Sequence, residues 1–298
     1  MNKLKKIFIL LLSVIILCSC QKDNTKYELI EITGEELINN ISSKEEQRFI
    51  FALYNTNKKN ADSFYQTLES LVNNINSNIY YVDYNHLDDI SALNLFTYDF
   101  GDFTENSYYF YDKGDIKISS DYTDFATAFK ELKNISKTTS LKLIDKSTKE
   151  EYIKEASKLY DDGNIAKAYN ELNKAWNLKE AKEEYNKNPL YNLINSWEAY
   201  EFLDDDYKEV NYYNFLFMTS TNYYYEIIIK DKYQNFNKPN DLNEYTKKYY
   251  QIKNNTILIS NYENGNYKEK YQIKSINDER LSIVDLDTNK KINFVKRS

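Results

Sequence analysis

The sequence predicts a multidomain chain of the α/β plus β class. An α/β N-terminal domain, a short helical connector and an antiparallel β C-terminal domain, either a meander or a small barrel, follow one another. Three observations carry this. Up to about residue 134, apolar strand runs alternate with stretches of helical period. From 150 to 196 the period is helical alone. From 197 onward, short alternating segments are separated by turn residues. A chain of 298 residues, 42% hydrophobic and 29% charged, has room for two or three such domains.

The chain opens on an address. Lys3, Lys5 and Lys6 precede an apolar run from Ile7 to Leu17. That run is shorter than the roughly 20 residues a membrane-spanning helix needs, and it has the length of a signal-peptide core. It ends in Leu17-Cys18-Ser19-Cys20, which resembles the lipobox of bacterial lipoproteins. The resemblance implies cleavage after Ser19 and lipid attachment, diacylglyceryl with palmitate-type chains, at Cys20. A mature body tethered to the extracytoplasmic side of a cell membrane follows, because two acyl chains hold a protein stably where one does not. Losing the three leader lysines takes the formal charge from -7 to -10, so anionic headgroups repel the body. Residues 1–19 are thus read as signal peptide and 20–26 as tether.

Composition excludes several chemistries. One His and two Cys cannot build a zinc cluster or a disulfide framework. Five Gly leave no room for a phosphate-binding loop, and the acidic balance disfavours nucleic acid. No cofactor, no metal, no catalytic residue and no nucleic-acid partner is expected.

Residues 27–134 read as βαβαβαββα. Tyr27–Ile32 alternates as a strand. Thr33 with Glu36 forms a capping box for a helix carrying Leu37, Ile38 and Ile41. Phe49–Tyr54 is a continuous apolar run, as in a strand buried on both faces. Phe64, Leu68, Leu71, Val72 and Ile75 recur at helical spacing. Asn78–Tyr84 is a strand, and His86–Leu95 reads as helix. Tyr108–Tyr111 and Ile116–Ser119 form a hairpin turning at Asp112-Lys113-Gly114. Tyr122–Leu132 closes with a helix.

This order, on FIFALY, IYYVDYN and YYFYDKG, resembles a thioredoxin-like fold over about residues 27–134. The family's C-x-x-C positions fall on Lys58 and Ala61, and the place of its cis-proline falls near Asn106. The resemblance therefore implies a redox-inactive scaffold. Residues 55–61 and 104–107 are read as solvated loops, with a binding rim as the alternative. His86, beside Asp83, Asp88 and Asp89, reads as part of a helix-capping region. A hydrolase histidine or a Ca²⁺ site is the sharper alternative, although the spacing is not that of an EF-hand.

Residues 135–149 are a connector rich in Lys, Ser and Thr. Glu150–Tyr160 and Ile165 to about Tyr185 are read as two helices, joined at Asp161-Asp162-Gly163-Asn164. The spacing Gly163, Ala168, Leu172, Ala175 resembles a tetratricopeptide repeat, within a helical segment spanning 150–196. A lone repeat needs a neighbour, supplied here by Pro189–Trp197. In the β domain, 197–298, seven strands are read from Asn211 onward, with Asn264-Gly265 the strongest hairpin signal. Trp197–Phe202 with the closing YQIK, RLSIVDL and INFVK runs resembles lipocalin-like domains. If the domain is a barrel, bulky Tyr and Phe are expected to fill it.

The expectation is a non-enzymatic, lipid-anchored binding or assembly module. It meets the membrane through its anchor, and its partner is an envelope protein or peptide. The alternatives are an accessory component of an envelope thiol-disulfide or secretion system, and a carrier of lipid or small ligand in the β domain.

Overall fold

The computed structural model describes residues 26–43, 47–87, 105–121, 129–130, 132–135, 137–202, 209–218, 222–232 and 241–297. The expected lipobox with Cys20, residues 88–95 of the helix expected after His86, and most of the helix expected over 122–132 lie outside them.

The α/β part contains β1 (Leu29–Glu31), α1 (Gly34–Ser42), β2 (Arg48–Tyr54), α2 (Ala61–Ile75), β3 (Ile79–Asp83), β4 (Ser107–Asp112) and β5 (Asp115–Asp121). The strands lie in the order β1-β3-β2-β4-β5. β1, β3 and β2 run parallel, while β4 and β5 run antiparallel to their neighbours. The apolar run of β2 is central, and its alternate side chains feed two cores. Phe49, Phe51 and Leu53 meet Leu37, Ile38 and Ile41 of α1 on one face. Ile50 and Ala52 meet Phe64, Leu68 and Leu71 of α2 on the other. α1 starts as its sequence dictates: Thr33 Oγ1 accepts from Glu36 N at 3.1 Å, and Glu36 Oε2 accepts from Thr33 N at 2.9 Å. The β4–β5 hairpin turns on Lys113 (φ 53°) and Gly114 (φ 101°), a left-handed pair that suits the twist of a hairpin.

The connector is held to the α/β part along its length. Thr139 N donates to Arg48 O, Leu141 N to the Tyr80 hydroxyl, Lys142 N to Asn40 Oδ1 and Ile144 N to Glu36 Oε1. α3 (Lys146–Asp161) then begins ahead of the expected Glu150, because Asp145 accepts from Thr148 N and caps it there.

The second expected helix divides into α4 (Ile165–Asn173) and α5 (Lys179–Lys187). The break falls where Asn177 is claimed from outside the helix. Its Oδ1 accepts from Lys149 Nζ, and its Nδ2 donates to Glu31 O. Ala156, Ala168 and Ala175 are fully buried, so their small side chains do allow close helix approach. Pro189 opens a 3-10 helix, Pro189–Leu193.

Eight antiparallel strands close a barrel. They are β6 (Ser196–Phe202), β7 (Glu209–Phe217), β8 (Tyr223–Lys232), β9 (Thr246–Lys253), β10 (Thr256–Ser260), β11 (Lys268–Ile276), β12 (Arg280–Asp285) and β13 (Lys290–Lys296). The seven expected strands lacked β6, which sits between β13 and β7 and completes the ring. The hairpin expected at Asn264-Gly265 does form, between β10 and β11, but through a longer loop in which Gly265 N donates to Tyr262 O. A tight left-handed pair falls instead on Asn254 (φ 48°) and Asn255 (φ 59°), between β9 and β10. Asparagine tolerates that backbone better than most residues.

One core runs unbroken from the helices into the barrel. Ala156, Ile165 and Leu172 belong with Trp197, Phe215, Tyr250, Ile273, Ile283 and Phe294. Trp197 Nε1 donates to Leu193 O at 3.1 Å, and Asn222 Nδ2 to Asn164 Oδ1 at 2.8 Å. The helices therefore cover one end of the barrel, and aromatic side chains fill that half.

Candidate functional site

The barrel's inner face changes character along its axis. Paired residues share a face of the wall, so the inward register can be followed from strand to strand. Trp197, Ala199 and Glu201 of β6 pair with Phe215, Tyr213 and Asn211 of β7. Leu281, Ile283 and Asp285 of β12 pair with Phe294, Ile292 and Lys290 of β13. The half next to the helices is apolar; the far half brings in Glu201, Asn211, Asp285 and Lys290. Glu226, paired with Phe215, shares the inward face and accepts from the Tyr224 hydroxyl at 2.7 Å. Burial raises the Glu226 carboxyl, with the Tyr224 bond and Lys248 pulling the other way.

At one place the wall parts. Among the described residues, β13 and β6 pair only at Val295–Glu198 and Lys296–Trp197. Beyond Glu198 the strand edges separate around a cleft of about 180 Å³, lined by Ala199, Tyr200, Glu201, Tyr213, Lys290 and Ile292 among others. Consecutive residues of both strands line it, so it lies within the wall between two strand edges.

The cleft's polar centre is one carboxylate. Glu201 Oε2 accepts from Lys290 Nζ, from Asn211 Nδ2 at 3.0 Å and from the Tyr213 hydroxyl at 3.3 Å. Burial alone would raise the Glu201 carboxyl; the bonds from Lys290, Asn211 and Tyr213 outweigh it and hold the group below its usual range. Burial alone would lower the Lys290 ammonium, and the Glu201 bond reverses that. Both stay charged at neutral pH. The Glu201 and Lys290 side chains are 33% and 36% exposed, so solvent reaches them. Tyr213, Ala199 and Ile292 are buried and form the apolar wall.

The residues singled out by sequence are placed as follows. Cys20 lies outside the described residues. Lys58 stands in the loop between β2 and α2, Ala61 opens α2, and Asn106 faces that loop. Residues 56–60 are exposed as expected of a solvated loop, but Asn55 and Asn106 are buried. Asn106 has a left-handed backbone (φ 55°). Its Oδ1 accepts from Asn55 N at 2.8 Å, and its Nδ2 donates to Asn60 Oδ1 at 2.9 Å. Asn55 Oδ1 in turn accepts from Asn57 N. Asparagine amides thus knit this corner and spend their polar groups on one another.

His86 ends a 3-10 turn, Tyr84–His86, that Asp83 caps through Asn85 N. The capping role falls to Asp83, while Asp88 and Asp89 lie outside the described residues. His86 has a role that the sequence did not reveal. Its ring packs on Trp176 with centroids 3.2 Å apart, and Tyr185 meets it edge-on at 5.8 Å. Burial first, then the charges of Lys182 and Lys296, push the imidazole down to about 3. It is neutral across the physiological range and joins the α/β part to the helices. Around it, Lys182 pairs with Glu31 at 2.7 Å, and Lys149 pairs with the fully buried Glu36 at 2.6 Å.

Among the described residues no group of three His, Cys, Asp or Glu is arranged to hold a metal ion, and no helix is long and apolar enough to cross a membrane. No protein-family model matches the chain, and no curated protein is significantly similar to it.

Proposed function

We propose that the chain is a non-enzymatic lipoprotein, tethered through Cys20 to the extracytoplasmic face of a membrane, whose barrel is the binding element of the body. The observation that carries the binding role is the parted seam between β6 and β13, where an accessible ion pair sits against a buried apolar wall. The strand order β1-β3-β2-β4-β5 supports a thioredoxin-like scaffold, and Lys58 and Ala61 in place of the cysteines support its being redox-inactive. The eight-stranded barrel, entered through a 3-10 helix and the buried Trp197, supports a lipocalin-like domain with a largely filled interior.

Cell fractionation tests the tether. Wild-type protein is expected in membranes and Cys20→Ser in the soluble fraction; membrane retention of Cys20→Ser overturns the anchor. Native mass spectrometry of the released Cys20→Ser protein, sprayed with a small-molecule extract of the culture, tests the binding role. A bound ligand is expected, and a uniformly bare protein counts against it.

A further inference from the structure

We infer that the seam cleft is a site for the zwitterionic head group of a small aliphatic amino acid. This assignment deepens the binding-module reading and rests on it. The ion pair leaves two groups over. Glu201 directs three donors onto Oε2, and Oε1 accepts from no described residue. Lys290 Nζ donates to Glu201 and, at 3.5 Å, to the Tyr213 hydroxyl. An ammonium has three hydrogens, so one remains. The pair therefore offers one anionic acceptor and one cationic donor side by side, and Lys291 adds a second cation to the lining of the cleft.

A purely cationic ligand would gain from Glu201 and be repelled by the two lysines, and a purely anionic one would leave Glu201 Oε1 without a donor. A free amino acid carries an ammonium and a carboxylate on one carbon and satisfies both, each through a charge-assisted bond. Ala199 and Ile292 then face the ligand's side chain. The alanine leaves the space, where its partner on the neighbouring strand is the bulky Tyr213. The cleft, about 180 Å³, has room for a ligand of amino-acid size.

The test is saturation-transfer NMR on the full-length chain in detergent, with L-leucine, leucinol (no carboxylate) and 4-methylpentanoate (no ammonium) as probes. Leucine at millimolar concentration is expected to show transfer, and each analogue to bind about tenfold more weakly, since each forfeits one charge-assisted bond. Lys290→Met and Glu201→Gln should each weaken leucine binding by a similar factor. Absence of transfer to leucine, or equal transfer to all three probes, overturns the inference. A different ligand in the mass spectrum without transfer to leucine overturns it too, while leaving the binding-module reading standing; a bare protein strikes that reading itself.

Discussion

Gly163 carries two demands at once, and replacing it separates them. It sits between α3 and α4 with φ +78°, a region where a Cβ is strained. A Cβ there would also overlap the backbone oxygen of Ile252 on β9 and lie 3.0 Å from its carbon. A backbone carbonyl inside a barrel strand cannot swing aside as a side-chain tip can. Relief requires the α3–α4 turn to withdraw from the barrel, which loses the bond from Ile252 N to Gly163 O at 3.2 Å. Left-handed strain costs about 1–2 kcal/mol, the lost bond about 1, and overpacking about 1–3 more. Gly163→Ala should therefore destabilise the chain by about 3–6 kcal/mol. Gly114→Ala is the control. Its φ is +101°, yet nothing lies within 4 Å of the added carbon, so only the backbone strain of about 1–2 kcal/mol remains. Urea unfolding followed by circular dichroism gives both values. Tryptophan fluorescence adds a local reading, since the two tryptophans are Trp176, which follows α4, and Trp197 on β6. Equal losses in the two variants would refute the claim that contact with Ile252 dominates.

Two further outcomes follow from the junction. Lys149→Met leaves Glu36 buried without its cationic partner, so a loss of about 3–5 kcal/mol is expected. Adding Glu36→Gln should restore part of it, because a neutral Gln still closes the capping box; a single-variant loss below about 1 kcal/mol in urea unfolding would contradict the burial argument. Because His86 has a lower pKa when folded than the usual 6.5, its contribution is full above pH 6.5 and falls by about 1.4 kcal/mol per unit toward pH 3. Asp83, raised by burial, acts in the opposite sense at the acid end. Wild type should lose about 2 kcal/mol more than His86→Phe between pH 6.5 and about pH 5, and parallel pH profiles for the two would sink the assignment.

The elements read best from sequence are those whose cause is local. The Thr33–Glu36 capping box, the two-faced burial of Phe49–Tyr54 and the Lys113-Gly114 turn each depend on a few adjacent residues, and each formed. What stayed hidden depends on distant partners. His86 sits in an acidic stretch that reads as a cap, and its ring partner Trp176 is far along the chain. β6 was read only as part of a resemblance, because Glu198 and Glu201 blur its alternation; it became a strand by filling the place between β13 and β7. The Asn264-Gly265 pair located a hairpin but not its turn, as the loop between β10 and β11 is longer than two residues. The candidate cleft was not legible at all, since it exists where register runs out between the first and last barrel strands.

That seam also orders events in time. Glu198 and Val295 are about 100 residues apart in sequence, so their meeting closes the longest loop in the barrel for the smallest number of residue pairs among the described residues. Hairpins such as β9–β10 and β12–β13 form early because their loops are short, while ring closure must await both ends. The same imbalance acts in the finished molecule: a ladder of two residue pairs is cheaper to open than the nine between β7 and β8. Amide hydrogens shared across the seam, such as that of Arg297 bonded to Ser196 O, should exchange faster than those between β7 and β8. The barrel should breathe at the place where it offers its cleft.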